Sequence, residues 1–228
     1  MGMKKRISQR RGAVFCDLDE TLYPGATIKD VGRYLAKRGT LGLTAYVKIG
    51  WWLFLKSIDR LNDEAAFAAG VQLLAGWPIE DLRSELDRAY QTVFKPRMGL
   101  AVFELVSQWQ KQIGPLVLAT ESLTVIAEPF ARDLGALAVL GTEVEVRHGR
   151  LTGKLAGPVL RNQAKNAAVI AWAKEHQIDL TRSVAIGARL DDVPLLKLTG
   201  QAIVLNPDRP MRHIAEHQGW KIVETGMR

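Results

Sequence analysis

Short, predominantly apolar runs alternate along the chain with longer segments whose apolar residues recur at helical spacing. Runs of this kind are typical of strands buried on both faces of a parallel sheet. The alternation therefore predicts an α/β fold built on a doubly wound parallel sheet. The predicted strands are "GAVFCDL" (12–18), "PLVLAT" (115–120), "ALAVLG" (136–141), "SVAIG" (183–187) and "QAIVL" (201–205), and the helical segments include "GLAVFELVSQWQKQIG", "LTVIAEPFARDLG" and "NQAKNAAVIAWAKEHQ".

Two segments interrupt this alternation. Residues 26–97 show several helical patterns and no strand candidate, which predicts an all-helical domain inserted into a core domain made of residues 1–25 and 98–228. The stretches "YPGAT" and "FKPRMG" at its two ends contain both Pro and Gly and are the predicted hinges. The stretch "TEVEVRHGRLTGKL" predicts a β-hairpin at the edge of the sheet, with His148 as a turn residue.

Composition narrows the class of protein. The 228 residues contain a single cysteine, Cys16, so an internal disulfide is excluded and a reducing, cytoplasmic location is expected. No secretory signal is predicted, because the basic N-terminus leads into a short strand that contains aspartates. The net charge of +7 favours phosphorylated ligands or anionic lipid over nucleic acid, for which no motif is present. Nothing in the sequence indicates the oligomeric state.

Asp17 and Asp19 stand at the end of the first predicted strand, in "VFCDLDETLYPG". Residues i and i+2 of a strand face the same way, so both carboxylates are expected in the crevice where open α/β sheets bind ligands. Such a pair suits a divalent cation, with one carboxylate as nucleophile and the other as a proton shuttle. The alternative is a polar strand end whose aspartates only cap the following turn.

Four further residues follow other strands or begin helices, and each has a structural alternative. Thr120 ends the second strand and offers a hydroxyl for a phosphate, or caps a helix that starts at "ESLTV". Lys165 lies near the start of a helix, where the dipole disfavours a cation, so it is either solvated or aimed at a phosphate. Asp191 and Asp192 follow the fourth strand as metal ligands, or cap a helix before Pro194.

In this order, "DLDET", Thr120, Lys165 and "LDDVP" resemble the four motifs of the haloacid dehalogenase superfamily. The stretches "LVLATESLTVIAEPFARDLG" and "VLNPDRPMRHIAEHQGW" are similar to the phosphoserine-phosphatase-like hydrolases of that superfamily, whose α-helical cap domain corresponds to residues 26–97. The resemblance covers nearly the whole predicted core.

The resemblance implies hydrolysis of a phosphate monoester through an aspartyl-phosphate. Asp17 would attack phosphorus, and Asp19 would protonate the leaving oxygen and then activate water. Mg²⁺ would bind at Asp17 and Asp19 together with the phosphate, and Asp191 and Asp192 are the candidates for its remaining protein ligand. Thr120 and Lys165 would neutralise the phosphoryl oxygens. The presence of Asp19 favours a phosphatase over a dehalogenase, which does not need the second aspartate as an acid.

Ala188 departs from the family pattern. The fourth motif begins with a metal-binding aspartate directly after the strand-end glycine, and here that position is Ala188. Three explanations are open: Asp191 or Asp192 reaches the metal by a shifted loop, the chain is an engineered variant, or it is an inactive relative that binds a phosphorylated ligand without turnover. The alternative to a phosphatase is therefore a phospholigand-binding protein.

The substrate is predicted from the same comparison. Phosphoserine phosphatases carry a glutamate for the substrate ammonium near the position of Ala26, which has no charge, so the chain is not expected to be specific for phosphoserine. The stretch "VKIGWWLFLK" places Trp51 and Trp52 between lysines, which suits a lipid or apolar phosphate and peripheral contact with the inner membrane surface. Alternatively, these side chains pack the interior of the cap.

Overall fold

The computed structural model describes residues 11–40 and 63–226. Within these ranges the strands are β1 (Val14–Cys16), β2 (Leu116–Leu123), β3 (Ala138–Thr142), β4 (Val144–Arg147), β5 (Arg150–Leu155), β6 (Val184–Gly187), β7 (Gln201–Leu205) and β8 (Lys221–Val223). The α-helices are α1 (Thr27–Lys37), α2 (Asp63–Gln72), α3 (Ile79–Ala89), α4 (Leu100–Gln112), α5 (Thr124–Leu134), α6 (Asn162–Glu175), α7 (Val193–Leu196) and α8 (Arg209–Gln218). A π-helical turn, Tyr90–Phe94, continues α3.

A parallel sheet forms the centre of the molecule, which confirms the predicted fold class. Its strand order is β3-β2-β1-β6-β7-β8, so β1 lies between β2 and β6. Alternate residues of the central strands enter two hydrophobic clusters, one on each face. Helices α1, α3, α4 and α5 cover one face, and α6, α7 and α8 cover the other. The short edge strand β8 was not predicted from the sequence.

The β-hairpin forms as predicted, but its position corrects the prediction. Strands β4 and β5 make a separate two-stranded antiparallel sheet and do not extend the edge of the parallel sheet. The backbone of Leu151 instead exchanges hydrogen bonds of 2.8 and 2.9 Å with Gly76 and Trp77, just before α3. This pairing satisfies the polar edge of β5. His148, at φ 50°, is a turn residue as expected.

The inserted segment contains only helices and turns among its described residues, apart from an isolated bridge between Pro78 and Arg150. Its helices share one continuous hydrophobic cluster with the sheet, which joins Leu35 of α1 and Leu86 of α3 to Leu18 and Phe130. The division into two domains stays a prediction. The aromatic stretch around Trp51 and Trp52 lies outside the described residues.

No helix within residues 11–40 and 63–226 is long and apolar enough to cross a membrane.

Candidate active site

The six residues predicted for the site lie around one cavity of about 480 Å³ at the carboxyl ends of β1, β2 and β6. They meet there because the ends of parallel strands lie along the same edge of a sheet. Their roles stay predictions, whereas their proximity is a feature of the fold. The residues are Asp17, Asp19, Thr120, Lys165, Asp191 and Asp192.

Lys165 joins two buried carboxylates at the centre of this cavity. Its Nζ lies 2.8 Å from Oδ1 of Asp17 and 3.3 Å from Oδ1 of Asp192, and the three side chains are 4 to 8% exposed. Thr21 donates to the other oxygen of Asp17 at 3.1 Å. A lysine ammonium is a compact point charge, so it can hold both carboxylates at once. The position of Lys165 at the start of α6 is therefore explained by ion pairs.

The electrostatics of Asp17 reflect its burial. Burial and the nearby charge of Asp192 raise the pKa of the Asp17 carboxyl to about 7, although Lys165 acts in the opposite direction. Burial alone would lower the pKa of Lys165, but the two carboxylates outweigh it and raise that pKa above its ordinary value. Lys165 is therefore charged. Its single positive charge does not neutralise both carboxylates, Asp17 and Asp192.

Asp19 is held by the first residue of α1. The backbone N–H and the hydroxyl of Thr27 donate to its two carboxylate oxygens at 2.5 and 3.2 Å. The hydroxyl of Thr27 also lies 2.7 Å from that of Ser122, on β2. Burial raises the pKa of Asp19 to about 6, against the bonds from Thr27. A carboxyl with a pKa near neutrality can both give and accept a proton.

Thr120 corrects one detail of the sequence analysis. Strand β2 does not end there but continues to Leu123 through an irregularity in its pairing with β3, and the helix begins only at Thr124. The Thr120 hydroxyl accepts a hydrogen bond of 3.1 Å from the backbone of Ser122. Its own hydrogen stays available to donate into the cavity.

Asp192 is fixed by the backbone of its own loop. Its Oδ2 accepts hydrogen bonds from the N–H groups of Ala188 and Arg189 at 2.9 and 3.1 Å. A Cβ at Gly187 would lie 2.5 Å from the Cβ of Asp192, so only glycine allows this close approach. Asp191, next to it, is exposed at the mouth of the cavity.

The sequence analysis missed several polar residues of the cavity. Thr27 and Ser122 orient Asp19, and two ion pairs stand at the mouth, from Arg161 to Glu121 at 2.7 Å and from Arg189 to Glu20 at 2.6 Å. The only sequence signal for them is their nearness to the predicted residues. The pairs themselves join segments far apart in the chain, which periodicity does not reveal.

The donor set suits a magnesium ion in charge and in type. Six carboxylates and four cationic side chains line the cavity, so its charge is negative. Mg²⁺ prefers oxygen ligands and is often held by only one or two carboxylates together with water and phosphate. Ala188 is fully buried and offers no side-chain ligand. Among the described residues, no three His, Cys, Asp or Glu side chains are grouped closely enough to hold a metal alone.

Comparison with known proteins assigns the chain to a family. The model of the haloacid dehalogenase-like hydrolases matches residues 14–197. The chain belongs to this family. The predicted resemblance is confirmed, and so is the predicted enzyme class, a phosphoric monoester hydrolase.

Individual relatives support this assignment. The chain is 31% identical over 218 residues to Phosphoserine phosphatase SerB1 of Mycobacterium tuberculosis (strain ATCC 25618 / H37Rv), covering 92% of this chain and 70% of that protein. A crystal structure of a protein with unknown function from Bordetella pertussis Tohama I is 26% identical, with a TM-score of 0.83 over 95% of this chain and 99% of the other.

A second solved structure, described as a phospho-aspartyl intermediate analogue of phosphoserine phosphatase, shares the fold at 20% identity. Its TM-score is 0.62, over 94% of this chain and 93% of the other. All three are similar over nearly the whole length of this haloacid dehalogenase-like chain.

Proposed function

We propose that this hydrolase is a Mg²⁺-dependent phosphatase that acts on a phosphate monoester through an aspartyl-phosphate at Asp17. The observation that carries the proposal is the buried Asp17 carboxylate, 2.8 Å from Lys165, in the same cavity as Asp19. A nucleophile held by a fixed cation and a neighbouring proton shuttle are the parts that covalent phosphoryl transfer needs.

In the first step a carboxylate oxygen of Asp17 forms a bond to phosphorus, and the bond from phosphorus to the ester oxygen breaks. Asp19, in its protonated form, gives its proton to the leaving oxygen. Its pKa of about 6 leaves a usable fraction protonated near neutrality. Thr27 holds the Asp19 carboxyl in place by donating a hydrogen bond to each of the two carboxyl oxygens.

In the second step water attacks the phosphorus of the aspartyl-phosphate. Asp19, now a carboxylate, accepts the proton of that water, and the bond between phosphorus and Asp17 breaks to release inorganic phosphate. Both aspartates return to their starting states. Lys165 and the Thr120 hydroxyl face the cavity and stabilise the charge on the phosphoryl oxygens.

Mg²⁺ would take its one or two protein carboxylates from Asp17, Asp19, Asp192 and Asp191, together with water and the phosphate. When bound, the ion supplies positive charge that offsets the carboxylates and the phosphate. Lys165 orients Asp17 and Asp192 by donating to one oxygen of each, and the backbone N–H groups of Ala188 and Arg189 fix the other oxygen of Asp192. Asp191 is exposed, so its carboxylate can be shared with solvent.

Phosphoserine is not the specific substrate in this proposal. Ala26 lines the cavity and carries no charge with which to bind an ammonium group. Ile28 and Phe67 also line the cavity, which supports a phosphate ester with an apolar part, including a lipid phosphate. Faster hydrolysis of L-phosphoserine than of other small phosphomonoesters would contradict this part. Sedimentation with anionic liposomes, and the rate on lipid phosphates against soluble ones, test the lipid alternative and the proposed peripheral membrane contact.

The central experiment is release of phosphate from p-nitrophenyl phosphate with and without Mg²⁺. We expect Mg²⁺-dependent release by the natural chain and its loss in Asp17→Asn, which keeps the size of the side chain but removes the nucleophile. Asp81→Asn, an exposed position at the start of α3, is the matched control and should retain the rate. Binding of the ester without any release would contradict the proposal and favour the phospholigand-binding protein that Ala188 suggested.

A further inference from the structure

The cationic side chains around the cavity are not equivalent. Four of them line it, and three are engaged by carboxylates: Lys165 by Asp17 and Asp192, Arg161 by Glu121, and Arg189 by Glu20. The side chain of the fourth, Lys29, forms no ion pair or hydrogen bond with any described residue. It is exposed on the first turn of α1. One positive charge at the cavity is therefore available to a ligand.

The position of Lys29 has a local cost. A cation in the first turn of a helix lies against the positive end of the helix dipole, where an acidic residue is preferred. The ammonium group gains free energy when an anion lies beside it. A lysine that only needed solvent would be accommodated at lower cost one turn further along the helix, at the exposed position of Arg33, which does not line the cavity.

The lining residues next to Lys29 in sequence are uncharged. Ala26 and Ile28 line the cavity together with Lys29, and neither carries a charge; Phe67 and Gly70 of α2 are further uncharged lining residues. The two glutamates of the lining, Glu20 and Glu121, are already neutralised by arginines. A substrate ammonium placed beside Lys29 would be repelled by it, whereas Asp191, an acidic residue of the lining, is exposed at the mouth of the cavity.

We propose that Lys29 selects substrates that carry a second anionic group beside the phosphate ester. This inference rests on the proposed function, because it assigns the role of Lys29 within the same cavity. Lys29 is a specificity-determining residue here: it binds the part of the substrate that leaves with the ester oxygen. A lysine recognises carboxylate or phosphate as a point charge, so either anion fits.

The experiment compares two phosphate esters that differ at one group. In 3-phosphoglycerate a carboxylate replaces the terminal hydroxymethyl group of glycerol 3-phosphate. Phosphoethanolamine, with an ammonium group, is the third substrate. We expect kcat/KM to fall in the order carboxylate, hydroxyl, ammonium. Lys29→Ala should lower kcat/KM for 3-phosphoglycerate about tenfold, as expected for one hydrogen bond to a charged group, and change that for glycerol 3-phosphate less than about twofold.

Two further variants control this result. Lys29→Arg keeps the charge and should retain the preference for the carboxylate. Lys37→Ala removes an exposed lysine of the same helix that does not line the cavity, and it should behave as the natural chain. An equal fall on all three substrates in Lys29→Ala, or no fall on any, would overturn the inference.

Binding separates failure of this inference from failure of the proposed function. The Kd of 3-phosphoglycerate and of glycerol 3-phosphate is measured by calorimetry with Asp17→Asn and with Asp17→Asn carrying Lys29→Ala. A preference for the carboxylate that is lost with Lys29 supports the inference even if the natural chain hydrolyses neither ester, a result that would refute the phosphatase alone. If adding Lys29→Ala to Asp17→Asn left the Kd of 3-phosphoglycerate unchanged, the inference would be overturned whether or not the chain is a phosphatase.

Discussion

Ala188 is buried at the end of β6, and its backbone N–H bonds to Asp192. A carboxylate at this position would lie close to Asp192 and to the buried Asp17, so the local charge would become more negative. Bound Mg²⁺ would offset that charge and gain a ligand. The side chain at position 188 therefore affects both the stability of the metal-free chain and its affinity for Mg²⁺, in opposite directions.

Ala188→Asp should lower the melting temperature in the presence of a chelator and tighten Mg²⁺ binding at least 10 to 100-fold, the size of effect known for residues that support metal ligands. Calorimetric titration with Mg²⁺ and melting curves with and without it measure both effects. Ala188→Ser, which is nearly as small and uncharged, should change neither strongly. Equal Mg²⁺ affinity in the natural chain and Ala188→Asp would mean that Asp191 and Asp192 already complete the site.

Asp17 makes the stability of the metal-free protein depend on pH. Its pKa of about 7 in the folded chain exceeds the ordinary value of about 3.9 for an unfolded chain. Between these values the folded state binds more protons than the unfolded state, so this residue lowers stability as pH rises.

The measurement is the free energy of unfolding of the natural chain minus that of Asp17→Asn, in chelator, from pH 4 to pH 8. The difference should be most favourable to the natural chain near pH 4, decrease up to about pH 7 and then level off. A difference that increases with pH would mean that Lys165 outweighs burial and that the pKa of Asp17 is lowered.

At the scale of elements, one polar network joins the two ends of the inserted segment. Asp30 of α1 is 9% exposed and accepts hydrogen bonds from Tyr23 at 2.6 Å and from Arg97 at 2.7 Å. The guanidinium of Arg97 also lies 4.8 Å from the centre of the Tyr23 ring. The two predicted hinges, "YPGAT" and "FKPRMG", are thus linked by side chains.

Arg97→Met should lower the free energy of unfolding by about 1–2 kcal/mol, since it leaves a buried carboxylate with one cation fewer; partial exposure of Arg97 limits the loss. Urea denaturation measures it. Arg33 bonds to the same carboxylate but is 73% exposed, against 44% for Arg97. Arg33→Met is therefore the control and should cost less than about 0.5 kcal/mol. Equal losses in the two variants would contradict a structural role for the link between the hinges.

At the scale of the whole molecule, the inserted helices are joined to the sheet by both apolar and polar contacts. The hydrophobic cluster that contains Leu86 of α3 also contains residues of β1 and β2. Arg83 of α3 donates to both carboxylate oxygens of Glu128 on α5, at 3.1 and 3.2 Å. Tyr90 donates to Asp133 of α5 at 2.7 Å. Such continuous packing favours one cooperative unit.

We expect a single thermal transition whose calorimetric and van't Hoff enthalpies agree. Leu86→Ala should destabilise the chain by about 2–5 kcal/mol and speed hydrogen exchange in β1 as much as in α3, because the two share one core. Two transitions, or faster exchange confined to α3, would show instead that the inserted segment unfolds as a domain of its own.

The spacing of apolar residues along the chain determines the fold class and the edge of the sheet at which the site forms. Runs such as "VFC" and "VAIG" that alternate with helical segments are typical of strands buried on both faces of a parallel sheet, so the fold class follows from this pattern. Parallel strands bring their carboxyl ends to one edge, so the same pattern predicts that Asp17, Thr120 and Asp192 lie together. The short strand β8 escaped detection because three residues at a sheet edge carry too little periodicity.

Tertiary structure alone decided how these residues are paired. Nothing local to Lys165 indicates that it lies between Asp17 and Asp192, and nothing local to Asp19 indicates that Thr27 holds it. The hairpin does not extend the parallel sheet, because the backbone of Leu151 is hydrogen-bonded to Gly76 and Trp77, just before α3. These contacts join residues distant in the chain, and their free energy comes from burial and geometry that exist only once the chain has packed.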